Sequence, residues 1–274
     1  IYTDVDGVFT ADPRHVPEAV KLDSIGYEEM LELASLGAGV LHCRAAIFAQ
    51  KYNVPLHIRH SQKPQSGTLV MKDPLDQSSL ESVSVVGCAL TNDLVMISLH
   101  GLPNAMHPSD AGLNDSPQAI IFRHAADAGV FIDDIMQTED GRKANISFTA
   151  PREGLEALKR AVECALDVIG EGDLAVRTGL AKVSAVGVGM RSHTGVASTM
   201  FNALAEAGIG IRTITTSEIK ISCIVDESES AEALRVVHRA FGLETRGQSC
   251  ADTKSASLMP HVEVKTNLGK TMSS

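Results

Sequence analysis

Between residues 124 and 241 the chain repeats itself. His124-Ala-Ala-Asp-Ala-Gly-Val130 returns as Ala203-Leu-Ala-Glu-Ala-Gly-Ile209, Ile146-Ser-Phe148 as Ile221-Ser-Cys223, and Glu156-Ala-Leu-Lys159 as Glu232-Ala-Leu-Arg235, always in the same order. Two copies of one small structural unit therefore dominate the chain, and the remainder leads into them or trails out.

The periodicities inside each copy say what the unit is. In the second, Val183, Ala185 and Gly187 alternate with Lys182, Ser184 and Val186, a strand pattern, and Val196, Met200, Phe201, Leu204 and Ala207 then recur at helical spacing up to Gly208. A strand over 209–215 follows, then another in which Ile219, Ile221, Cys223 and Val225 share a face, then a helix over 230–241. The first copy predicts a strand over 94–100, a helix over 118–128, strands over 130–137 and 144–150, a helix over 153–166 and a closing strand over 174–178. Each is a ferredoxin-like βαββαβ unit, and Val83-Ser-Val-Val86 reads as an isolated strand before the first.

The duplication, with Val183-Ser-Ala-Val-Gly-Val-Gly-Met190, Ser192-His-Thr-Gly-Val196 and Thr215-Thr-Ser-Glu-Ile219, resembles the paired ACT domains of aspartate kinases. That resemblance implies amino-acid binding at ACT interfaces, with lysine or threonine as effector and association of ACT pairs into a homo-oligomer. The positions matching the family's effector contacts are Asp133 and Gln137 in the first copy and Ile211, Ser217 and Glu218 in the second. Gly210 replaces a common asparagine. A long loop over 104–115 replaces a short Asp-Lys-Pro-Gly turn, with Asp115 as its stand-in.

The amino-terminal third has its own pattern. Thr3-Asp-Val-Asp-Gly-Val-Phe-Thr-Ala-Asp-Pro-Arg14 is a strand end running into a polar, turn-rich loop, a usual place for ligand contacts at the edge of an α/β sheet. A helix ending at Gly37, a second over 40–52, a strand over 55–59 and a short strand over 68–70 follow. With Tyr27-Glu-Glu-Met-Leu-Glu-Leu33, Gly37-Ala-Gly-Val-Leu-His42, Tyr52-Asn-Val-Pro-Leu-His57 and Gly67-Thr-Leu-Val70, this stretch resembles the last third of an aspartate kinase catalytic domain. The implied fold is α/β and α+β: the carboxy-terminal piece of an amino-acid-kinase (carbamate-kinase-like) sandwich over 1–72, ACT units over 83–180 and 181–244, and a disordered tail over 245–274.

The chemistry so implied is phosphorylation of L-aspartate by ATP with Mg2+, the first step towards lysine, threonine and methionine. Positions matching the nucleotide contacts are Thr3, Asp4, Phe9, Thr10, Ala11, Asp12, Pro13, Arg14, Gly39 and Val40; Arg14 is suited to phosphate and Asp4 to ribose or base. Phe9 stands where tyrosine is common and Gly39 where many members carry lysine. The family's Lys-Phe-Gly-Gly-Thr-Ser segment has no match, nor is there a G-x-x-x-x-G-K-[ST] loop. The catalytic residues are therefore expected outside this stretch, and Ile1-Tyr-Thr reads as the end of a buried strand in something longer.

Composition narrows the alternatives. A formal charge of −10 with no tryptophan and 4% aromatic residues argues against a nucleic-acid surface. No apolar run reaches the roughly 20 residues that span a bilayer. Five cysteines without CxxC spacing suit the cytoplasm, and the histidines show no metal spacing. Cys164 and Cys223 read as small core residues. Two other readings remain. One is a stand-alone amino-acid-sensing subunit. The other is a haloacid-dehalogenase-type phosphatase with Asp4 as nucleophile, Asp6 as general acid, and Asp133 and Asp134 as the second magnesium motif.

Overall fold

The computed structural model describes residues 1–37, 39–72, 74, 85–104, 115–191 and 195–245. Among the described residues ten strands form two sheets, and six α-helices pack on them. The second ACT helix face, the first ACT helix face and the amino-terminal part each have a separate apolar core.

The amino-terminal part holds β1 (Tyr2–Thr3), β2 (Ser24–Gly26), α1 (Tyr27–Ser35), α2 (Cys43–Tyr52), β3 (Leu56–His60) and β4 (Thr68–Met71), in the strand order β1-β3-β4-β2. Strands β1 and β3 are parallel, so Thr3 and His60 end at the same edge. Met30 and Leu33 of α1, Ala46 and Ala49 of α2, and Ile58 and Val70 of the sheet make the core. Helix α2 starts later than its periodicity suggests because His42 caps it, Nδ1 accepting the Arg44 N–H. Gly67 is where β4 passes closest to β3: a Cβ there would lie 1.7 Å from the Ile58 carbonyl oxygen.

The six-stranded sheet is built on two long strands that both ACT units share. Strand β5 (Gly87–Pro103) and strand β8 (Asp173–Val186) run antiparallel through its centre. β7 (Lys143–Pro151) and β6 (Asp133–Asp140) add to one side, and β10 (Lys220–Asp226) and β9 (Thr213–Thr216) to the other, giving β6-β7-β5-β8-β10-β9. The separate strands expected over 94–100, 174–178 and 182–187 are thus parts of two continuous ones. Residues 83 and 84 lie outside the described set, and pairing is seen from Val86, whose N–H donates to Val186. The continuity was hidden by local breaks: Asp93 and Gly179 take positive φ of 56° and 69°, and register shifts between Thr91 and Leu94. The 180/181 division falls inside β8, where Leu180 pairs with Leu94 and with Asp226.

Four helices cover one face of this sheet. Alternate β5 residues Val95, Ile97 and Leu99 meet Ile121 and Ala125 of α3 (Pro117–Asp127) and the stripe Leu158, Val162, Ala165 and Ile169 of α4 (Leu155–Ile169). That stripe leaves Cys164 on the outer side of α4, exposed rather than in the core. Val183, Ala185 and Cys223 meet Met200 and Leu204 of α5 (Val196–Glu206) and Leu234 and Val237 of α6 (Ser230–Ala240). Burial pushes the Cys223 thiol up to about 12, an inert core residue as expected.

The two parts of the chain share apolar packing. Ala11 and Val16 belong to the second ACT core, and Ala89 and Val186 to the amino-terminal core. Buried Glu29 accepts the Gly26 N–H at the start of α1 and the Val188 N–H beyond β8, while Lys220 pairs with Glu32 at 2.7 Å.

Candidate functional site

The nucleotide positions fall into three settings. Thr3 and Asp4 leave the carboxyl end of β1, the Thr3 hydroxyl donating to Asp4 at 3.0 Å, and Asp4 is exposed. This is the edge where open α/β sheets place ligands. Asp6 lies beside it, held by Lys63 at 2.8 Å and 3.0 Å, and the Lys63 hydrogen bond keeps its carboxyl below the usual range. Gly39, at φ +61°, and half-buried Val40 precede α2. The three-residue link from α2 to β3 turns that helix antiparallel to β3, so its amino end faces the same edge. No acidic side chain stands in its first turn, where His42 takes the Arg44 and Ala45 N–H groups.

The third setting is the loop over 9–16. Phe9 is half-buried and bridges to Lys21. Thr10 is fully buried and Ala11 nearly so. Pro13 is exposed. Arg14 reaches out with its side chain 85% exposed and forks onto Asp12, at 2.6 Å for the closest pair. Only the Asp12–Arg14 tip of this loop offers charged side chains to a ligand; Thr10 and Ala11 face the second ACT core.

The effector positions are spread over the six-stranded sheet. Asp115 pairs with Arg123 at 2.8 Å, and Gln137 accepts from Gln118 at 2.9 Å, both beside the start of α3. Ser217 accepts the Ile219 N–H within the turn from β9 to β10, with exposed Glu218 next to it. Ile211 lines a groove of about 500 Å³ with Met96, Ser98, His100, Arg177 and Arg212. The structure does not gather these into one closed pocket within the chain.

Asp133 belongs to a cluster that sequence reasoning missed. Lys182, in the middle of β8 and 5% exposed, places its ammonium 2.5 Å from Asp133 and 3.1 Å from Asp134. Asp134 is 4% exposed and also accepts hydroxyls from Thr149 of β7 and Thr215 of β9, each at 3.0 Å. Strands β6 and β9 are opposite edges of the sheet, so these bonds require it to curl over the face opposite α3–α6. Burial, the largest single influence, raises the Asp133 carboxyl, but the Lys182 hydrogen bond, the Asp134 N–H and the charges of Lys182 and Lys220 together outweigh it and the net value is lowered. Burial likewise lowers Lys182, yet its two carboxylates leave it raised. The signal was present in sequence: Lys182 breaks the otherwise small or apolar run from Gly179 to Val186 and needed a counter-ion.

The same cluster removes the phosphatase geometry. Asp133 and Asp134 engage Lys182, Thr149 and Thr215 of one sheet, whereas Asp4 and Asp6 engage Thr3 and Lys63 beside the other. The two acidic pairs share no partner. Among the described residues no group of three or more His, Cys, Asp or Glu side chains could hold a metal ion, and no helix is long and apolar enough to cross a membrane.

A six-stranded sheet shared by two repeated units, abutting a four-stranded sheet with its own helices, is the arrangement expected of an ACT pair that follows the end of an amino-acid-kinase fold. Comparison with known proteins agrees. The model of the amino acid kinase family matches residues 1–60, and that of the ACT domain residues 183–241. The chain is 42% identical over 247 residues to the aspartate kinase of Pseudomonas fluorescens (strain SBW25), covering 89% of this chain and 57% of that relative. The regulatory subunit of aspartate kinase from Thermus thermophilus is 36% identical at a TM-score of 0.51, with 58% of this chain covering 99% of that one. The aspartate kinase structure from Clostridium acetobutylicum shares the fold at a TM-score of 0.74 and 24% identity, over 88% of this chain and 53% of that one. The chain belongs to the aspartate kinase family. It spans a little over half the length of the curated relative it matches.

Proposed function

We propose that this chain is the effector-sensing, carboxy-terminal portion of an aspartate kinase. The observation that carries the proposal is the 42% identity running through both the kinase-like and ACT parts. The parent enzyme would transfer phosphate from ATP, with Mg2+, to L-aspartate, giving 4-phospho-L-aspartate in the cytoplasm. Thr3, Asp4, the Asp12–Arg14 tip, Gly39 and Val40 would supply one side of the nucleotide site, and Phe9, Thr10 and Ala11 the base of its loop. Residues 1–72 would form the kinase part, 83–180 and 181–244 the ACT units, and 245–274 a tail.

Lysine or threonine would bind on the ACT pair. Asp133 is 44% exposed where Asp134 is closed off, so it is the carboxylate able to meet an incoming ammonium. With effector contacts dispersed over one chain, a second ACT pair would complete the pocket, which supports a homo-oligomer. The uncovered apolar stripe Ile47, Phe48 and Tyr52 on α2 fits packing by further chain of the same kinase domain. Phosphoryl transfer depends on positioning and charge stabilisation, and the matched residues lack a complete phosphate clamp. The test is ADP release by the purified chain with aspartate and MgATP. No turnover is expected; rates in the ordinary enzyme range of about 1 to 1000 per second would contradict the proposal.

A second reading rests on one observation. The Thermus thermophilus protein that is matched over 99% of its length by 58% of this chain is a regulatory subunit, which supports a role for the chain as a separate amino-acid-sensing subunit. The reading frame upstream separates the two, through presence or absence of Lys-Phe-Gly-Gly-Thr-Ser.

A further inference from the structure

The loop over 9–16 leaves the amino-terminal sheet but is anchored by the second ACT unit. The Thr10 hydroxyl accepts the Val20 N–H at 3.0 Å and meets Nε2 of His238, on α6, at 2.9 Å. The Thr10 carbonyl accepts the Cys88 N–H of β5 at 2.7 Å, and its N–H donates to Val20. One helical turn before His238, Arg235 donates through Nε to the His15 carbonyl at 3.0 Å, its fork steadied by Glu232 at 2.6 Å. Between these anchors Ala11 and Val16 pack with Ala233, Leu234 and Val237. The base of the loop is thus pinned on both sides by ACT residues, while the Asp12–Arg14 tip projects into solvent.

The Thr10 hydroxyl accepts the Val20 N–H and keeps one proton and one lone pair with which to meet Nε2 of His238, as donor or acceptor according to the tautomer of the ring. The loop's base then depends on one imidazole and one guanidinium, both on a single rigid helix. Movement of α6 by a fraction of a bond length would carry the tip with it, because the contacts are short and buried and a packed core does not stretch.

We propose that α6 of the second ACT unit sets the shape of the loop over 9–16, with His238 and Arg235 acting as positioning residues for the nucleotide contacts at its tip. The link rests on the reading of that loop as part of a nucleotide site. It supplies a direct mechanical route from the ACT pair to the phosphate side, without passing through the amino-terminal sheet.

The test compares the full chain with His238→Phe, Thr10→Val and Arg235→Ala, and with His238→Gln as the variant that restores an acceptor. Amide hydrogen exchange is followed by peptide. The expected result is exchange at least about tenfold faster within residues 8–22 in the first three, with protection in β8 and β10 kept and His238→Gln closer to the parent. Unchanged loop exchange in both His238→Phe and Thr10→Val would overturn the proposal. Calorimetric titration with MgADP separates it from the reading it rests on. A loop response without nucleotide heat in the parent removes the nucleotide reading and leaves α6 as the anchor. Nucleotide heat with identical affinity in all variants overturns the coupling.

Discussion

Lys182 and Asp134 lie 3.1 Å apart with their side chains almost wholly buried, one in the central strand β8 and the other at the start of the edge strand β6. The pair lies on the face of the shared sheet opposite α3–α6 and ties the two ACT halves together.

Replacing Lys182 by methionine leaves Asp133 and Asp134 without their cation, one of them in the interior. Breaking a buried pair from one side costs about 3 to 5 kcal/mol, and urea denaturation of Lys182→Met is expected to show a loss of that size. Asp133→Asn, at a half-exposed site, is expected to cost less. The lowered Asp133 value contributes stability that is present above its ordinary 3.8 and lost as pH falls below it. The raised Lys182 value contributes stability that is present below 10.5 and lost as pH rises through the folded value.

His238 gives a further pH dependence, of the same sign as that of Asp133. Burial holds the imidazole below 6.5, with Glu244 and Glu18 pulling it partly back. The unfolded chain therefore takes up this proton at higher pH than the folded one, and stability falls as pH drops from 6.5 towards the folded value. Denaturation midpoints are expected to decline between pH 7 and pH 5, and to decline less in His238→Gln. Equal declines would show that His238 is not the titrating group.

Gly67 tests the packing of the amino-terminal sheet. An added Cβ would lie 1.7 Å from the Ile58 carbonyl oxygen and 2.8 Å from the Arg59 Cα, both backbone atoms. Gly67→Ala must part β3 from β4, and a loss of at least about 2 kcal/mol is expected, at the upper part of the range for overpacking. A shift in melting temperature within error of the parent would rule out this close approach.

Much of the fold was legible because each copy carries its own periodicity. Val183 and Ala185 alternate, Val196, Met200 and Leu204 recur at helical spacing, and both sets meet in one core. What sequence could not show was continuity. Asp93 and Gly179 look like turn residues, yet each is a local irregularity inside a strand that serves two domains. The contacts of Asp133 and Thr10 were hidden for a related reason. Their partners Lys182 and His238 lie far along the chain, and no local pattern pairs a strand lysine with one particular carboxylate or a loop threonine with a helix histidine. The loop residues 105–114 lie outside the described set, as do Ser192 to Thr194 of the ACT motif and all but the first residue of the expected tail.

The central claim is that the shared-sheet ACT pair is an amino-acid sensor, and calorimetric titration of the full chain with L-lysine and with L-threonine tests it most directly. The account predicts saturable heat from at least one of them, weakened in Asp133→Ala by about 1.5 to 3 kcal/mol, the scale of a hydrogen bond to a charged group. Absence of heat from both at millimolar ligand, with the chain folded, would contradict it.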